Sequence, residues 1–135
     1  MQLKSLSTAV LFHGIAALGY CFVFTLEAFG ISLPLLSLEA QHPNFISSQY
    51  SQAASLFAAT ALLTFACYEI FFIPSYLNRS IDDARRKKIK TIFVGYHIPW
   101  SIMITYLALL DGSSWTAWIS VSVMYGFTLW GAISK

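Results

Sequence analysis

Residues 91–110 read TIFVGYHIPWSIMITYLALL. These 20 residues contain no Asp, Glu, Lys or Arg. At about 1.5 Å per residue, a helix of that length covers the roughly 30 Å of hydrocarbon in a bilayer. Its few polar positions are not scattered. His97, Ser101, Thr105, Ala108 and Asp111 follow one another at spacings of four, four, three and three, which places them on one helical face. The opposite face is Ile, Leu, Met and aromatic. A polar stripe inside lipid has to meet other helices or a wet cavity, so this run predicts one member of a helix bundle and not a lone anchor.

The rest of the chain supplies the partners. Of its 135 residues, 57% are hydrophobic and 10% are charged, with a mean hydropathy of +0.65. Soluble domains carry about 25% charged residues. Four apolar runs stand out, at about 8–28, 52–73, 91–110 and 115–132. They are too long, and alternate too little, for barrel strands. The expected fold is an all-α integral membrane protein, an antiparallel bundle of four transmembrane helices in a single domain spanning 1–135. The start reads as a retained span and not as a cleavable signal, because its apolar stretch is long and no A-x-A site follows.

The loops set the expected orientation. Six of the eight Lys and Arg residues lie between Arg79 and Lys90. With four spans, Lys4 and Lys135 fall on that same side, and the other side has none. The positive-inside rule then places both termini and the basic loop 78–90 in the cytoplasm. The endoplasmic reticulum and the bacterial inner membrane are not distinguished. The basic run lacks the fold of a nucleic-acid reader, so no nucleic-acid partner is expected; anionic head groups are a further contact for it. Asn78-Arg79-Ser80 is a formal glycosylation sequon on the wrong side, expected to be unused. Ser80 with Asp83 resembles a capping box, which starts the third helix near Ile81. Ser47 or Ser48 is a candidate cap for the second helix, and Pro74 ends it. Pro99 is expected to kink the third helix and open space beside the His97 ring.

Polar residues recur on the other spans. In the first, His13, Ala17, Tyr20, Phe24 and Glu27 form a stripe flanked by Gly14 and Cys21. In the second, Glu69 shares a side with Ala54, Ala58 and Ala61 when counted along a regular helix, and this small-residue face invites close approach. In the fourth, Ser122 and Gly126 suggest a close-packing spot, with tryptophans near both ends as interface anchors. Counted from the cytoplasmic boundary, His13 lies about 10 Å deep, and Glu69 and His97 about 9 Å deep. Three ionisable groups from three helices therefore share one level. Glu27 and Asp111 form a second, weaker pair near the outer boundary.

A carboxylate in hydrocarbon costs several kcal/mol unless paired or protonated. Glu69 is thus expected within hydrogen-bond or one-water reach of His13 or His97. This constellation suits acid/base chemistry on a hydrophobic molecule of lipid, sterol, terpenoid, quinone or polyketide type, with Glu69, His97 and His13 as catalytic groups. Tyr20, Tyr68, Tyr96, Trp100, Ser101, Glu27 and Asp111 are candidate substrate contacts. An isomerase or cyclase without cofactor fits the lack of phosphate-loop, HExxH and Gly-x-Ser-x-Gly motifs. Cys21 and Cys67 have no metal-ligand spacing and read as small buried hydrophobes, and no metal ligand is assigned. Two other readings are carried. One is a non-catalytic subunit or assembly factor, with partners among other membrane proteins or copies of itself. The other is a haem b carrier ligated through His13 and His97.

Overall fold

The computed structural model describes residues 6–43, 51–73, 82–110 and 114–134. Helix α1 is Leu6–Ala28, and α2 is a short helix, Leu38–Gln41. Helix α3, Ser51–Cys67, runs on into a π-helical turn, Tyr68–Phe72. Helix α4 is Asp83–Leu110, and α5 is Trp115–Ile133. No strand occurs among the described residues. Leu6–Ala28, Ser51–Phe71, Asp83–Leu110 and Trp115–Ile133 are each long and apolar enough to cross a membrane. The fold is a four-helix membrane bundle.

Helix α1 packs along α3 and the π turn, and α4 packs along α5. The two hairpins meet chiefly where α1 touches α5, and large side chains fill the remaining gap. Along α1 the apolar contacts come in two groups. Leu6 and Val10 join Ile73 and Phe93, while Cys21, Val23 and Phe24 join Ala59. A third group, Ala108 with Ala117 and Val121, closes the far end of the second hairpin. His13 lies between the two groups on α1.

Local chemistry fixes the helix ends. Asp82 Oδ1 accepts from the Arg85 N–H at 2.7 Å, so Asp82 caps α4; Ser80 and Ile81 lie outside the described residues. Ser114 caps α5 by accepting from the Ala117 N–H at 3.3 Å. Ser37 does the same for α2. Ser47, Ser48, Pro74 and the sequon at Asn78 also fall outside the described residues. Helix α4 continues through Pro99. Pro99 and Gly95, whose carbonyl loses its usual donor there, both face outward, so the freed space is on the outer surface and not beside the His97 ring.

Two packing faces differ from the sequence expectation. The buried positions of α3 are Ser51, Ser55, Ala59 and Ala66, while Ala54, Ala58 and Ala61 are half-buried at its flank. Counted at about 100° per residue from Glu69, Ser51, Ser55, Ala66 and Ala59 lie on one flank and Ala58, Ala54 and Ala61 on the other, and α3 is turned toward the first flank. On α5, Ser122 and Gly126 face outward, with open space beside Gly126. The close approach is at Gly131, where a Cβ would stand 2.6 Å from the Phe93 ring. Cys21 is buried as expected, but Cys67 is exposed on the outer face.

Candidate functional site

His13 and Glu69 meet at the shared level that the sequence predicts. His13 Nδ1 and Glu69 Oε2 are 2.5 Å apart, a hydrogen bond from α1 to the π turn. The His13 and His97 rings lie edge to face, with centroids 4.2 Å apart. One donor atom from each of His13, Glu69 and His97 falls within 4.8 Å of the others. All three residues are buried, and Glu69 and His97 have no exposed surface.

Gly14 makes this proximity possible. A Cβ there would meet Ile70 Cγ1 at 2.9 Å and Glu69 Cβ at 3.1 Å. The missing side chain lets the π turn press against α1, and Glu69 reaches the ring one residue away. Within the π turn Glu69 faces inward, while Tyr68 and Phe71 face outward.

His97 is oriented by its own helix. Its Nδ1 lies 2.7 Å from the Phe93 carbonyl. A carbonyl only accepts, so Nδ1 carries the proton and Nε2 presents a lone pair. The His97 carbonyl in turn accepts from the Ser101 hydroxyl at 2.8 Å, and the Ser101 carbonyl accepts from Thr105 at 2.7 Å. The stripe seen in the sequence is therefore a ladder of hydroxyls bonded back along α4. Aromatic rings close the cluster: Phe127 and Phe93 pack on His13, and Phe93 and Tyr96 pack on His97.

Two buried atoms of the cluster are left over. Glu69 Oε1 and His97 Nε2 have no hydrogen-bond partner among the described residues. The Tyr96 hydroxyl is in the same position. Buried polar atoms are paired in the great majority of cases; Ser55 Oγ and Arg86 Nε also lack a partner among the described residues, but only here do two such atoms belong to neighbouring ionisable side chains.

The other predicted contacts are spread out. Tyr96 stacks between His97 and Phe65, and half-buried Trp100 meets Phe65 edge-on. Ser101 is buried on the ladder just described. Tyr20 packs on Phe24, toward the C-terminal end of α1, and Tyr68 faces outward. Glu27 is buried, and its carboxylate accepts from the Leu38 and Glu39 N–H groups at 2.7 and 2.9 Å. It caps α2 across the loop. Asp111 lies outside the described residues. The role of Gln41 was not legible in the sequence: its carbonyl accepts from Ser114 and its side-chain oxygen from Ser120, tying the first loop to α5.

The haem alternative meets a steric obstacle. Two axial histidines need a planar macrocycle between their nitrogens, and rings in edge contact leave no slot for one. An open groove of about 690 Å³ lies elsewhere, at the basic end, lined by Arg86, Lys87, Lys90, Val94 and Ile98 among others. Comparison with protein-family models, curated proteins and solved structures finds no match.

Proposed function

We propose that the protein is a membrane-embedded acid/base enzyme acting on a hydrophobic, lipid-like molecule, with Glu69, His13 and His97 as its working groups. The observation that carries this reading is the pair of unused buried atoms, Glu69 Oε1 and His97 Nε2. A purely structural clamp satisfies its polar atoms, because each buried one left unpaired costs about 1–3 kcal/mol. A site that receives a substrate keeps some free. In this reading Glu69 exchanges the substrate proton through Oε1 while His13 steadies Oε2. The Nε2 lone pair of His97 takes or returns a proton on the second side. Tyr96, Trp100 and outward-facing Tyr68 mark a lateral approach from the bilayer. Both termini and the basic loop lie in the cytoplasm, a placement supported by the one-sided Lys and Arg.

The test is chemical. Purified wild type, Glu69→Gln and His97→Gln are incubated with an organic extract of native membranes, and the products are followed by untargeted mass spectrometry. A conversion made by wild type and slowed about 10²–10⁴-fold in either folded variant is expected. Folded variants that convert as fast as wild type, or a wild type that converts nothing, would remove the reading. The second reading, a non-catalytic subunit, is favoured by the close aromatic packing of Phe93, Phe127 and Tyr96 around the cluster. It takes over if His97→Gln is silent and wild type co-purifies with a fixed membrane partner.

A further inference from the structure

We infer that His13, Glu69 and His97 form a binding site for one divalent first-row transition metal, with a coordination position left open. The inference goes beyond the acid/base reading and stands apart from it: with an ion bound, Glu69 Oε1 and His97 Nε2 act as ligands and not as proton carriers.

Three side chains from three elements, α1, the π turn and α4, converge with one donor atom each inside 4.8 Å. In a tetrahedral site with bonds of about 2.1 Å, ligand atoms stand roughly 3.4 Å apart, so small side-chain rotations complete the closure. Convergence alone is a weak sign, since polar groups inside a membrane bundle gather wherever they can pair. The unused atoms point further. Glu69 and His97 are fully buried, and each retains a lone-pair atom without a donor among the described residues. With Glu69 ionised, both leftover atoms are acceptors, and an acceptor pair is what a cation satisfies.

His97 has the arrangement of a metal ligand before any metal arrives. A ligating histidine usually donates its other ring N–H to a carbonyl or carboxylate, which fixes the tautomer and the ring angle. The Phe93 carbonyl does this at Nδ1, which leaves Nε2 as the donor atom. Glu69 Oε2 meets His13 Nδ1, so an entering ion either takes the place of the proton in that bond or uses Glu69 Oε1 with the other His13 ring nitrogen. Phe93, Phe127 and Tyr96 form a dry aromatic wall around the cluster.

The donor set selects the class of ion. Two imidazoles and one carboxylate suit zinc, iron, manganese, cobalt, nickel or copper, whereas calcium and magnesium prefer oxygen ligands. Three protein ligands are the number found where a fourth position is kept for water or substrate. One carboxylate leaves a divalent ion with a net charge of +1 in a low-dielectric setting. An anionic fourth ligand, such as hydroxide or a substrate oxyanion, is therefore favoured there.

The experiment needs no substrate. The full chain is purified in detergent, stripped with a chelator and titrated with Co²⁺, with Zn²⁺ as competitor. The expected result is one Co²⁺ per chain, visible ligand-field bands that Zn²⁺ abolishes, and a rise in Tm with either ion. His13→Gln, Glu69→Gln and His97→Gln should each weaken binding by about 100-fold or more, above the 10–100-fold typical of groups one step removed from a metal. His42→Gln changes a histidine outside the cluster and should bind as wild type does. Circular dichroism in the absence of metal shows which variants are folded. The inference is overturned if folded wild type binds no stoichiometric metal. It is also overturned if binding persists in the folded cluster variants or disappears in His42→Gln. Metal binding without catalysis would leave this site standing and remove only the acid/base reading.

Discussion

The π turn at Tyr68–Phe72 and the proline at position 99 both interrupt the regular α-helical ladder, yet they serve opposite sides of the molecule. In the π turn Glu69 faces fully into the bundle, against Gly14 and the His13 ring. Pro99 lies on the outward face of α4, and so does Gly95, whose carbonyl it deprives of a donor. One interruption brings a polar group in, and the other leaves its unmet carbonyl on the surface, where it disturbs nothing buried. An interrupted helix is therefore informative about a site only through the face on which the interruption falls. His97, two residues before the proline, takes its orientation from the Phe93 carbonyl and owes nothing visible to Pro99.

That contrast can be broken at several points. The largest effect is expected for His13→Leu, which strips Glu69 Oε2 of its partner and leaves a lone buried carboxylate. A loss of about 3 kcal/mol is expected, read by reversible unfolding in mixed detergent micelles. Adding Glu69→Leu should recover much of that loss, and strictly additive losses would mean that the pair is not coupled.

Gly14→Ala and Gly131→Ala come next, at about 1–3 kcal/mol each. The first forces Ile70 and Glu69 away from α1, and the second drives a methyl into the Phe93 ring. Gly14→Ala should also weaken whatever the cluster binds, while Gly131→Ala acts mainly on stability. Equal ligand binding in the two variants would separate the π turn from the site.

Pro99→Ala restores a hydrogen bond on an outward face. It should change stability by no more than about 1 kcal/mol and leave metal binding and turnover as in wild type. If this variant instead behaved like His97→Gln, the two interruptions would be alike after all. Smallest of all, Gly126→Ala adds a methyl to open space and should stay within about 0.5 kcal/mol of wild type.

These comparisons also show what the sequence makes legible. The four spans are plain because hydropathy over 20 residues is a strong signal, and the ends of α1 and α5 follow from it closely. The shared level of His13, Glu69 and His97 comes from simple rise per residue, and it suffices to bring His13 to Glu69. The facing of α3 is less accessible. Ala54, Ala58 and Ala61 look like an interface, but Ser51, Ser55, Ala59 and Ala66 flank Glu69 equally well on the other side, and small-residue spacing alone does not choose between the two flanks. Ser122 and Gly126 fail for a different reason. Small residues occur on both faces of α5, and only the partner ring, Phe93, tells which one is approached. The capping of α2 by Glu27 is not legible in the sequence, because it joins residues eleven apart and depends on the path of a loop.

The division of the cluster between the hairpins has a consequence for how the chain enters the bilayer as it is made. Helix α1 and the π turn are translated first, and domains form from the N-terminal side during synthesis. Glu69 needs His13, and both belong to that first pair of spans. The carboxylate can thus cross the insertion machinery already matched to an imidazole, without waiting for residues not yet translated. His97 arrives later with its Nδ1 proton held by Phe93 on the same helix. Each half of the nascent protein thus brings its ionisable groups with one partner of its own, and the three groups become one cluster when the halves dock.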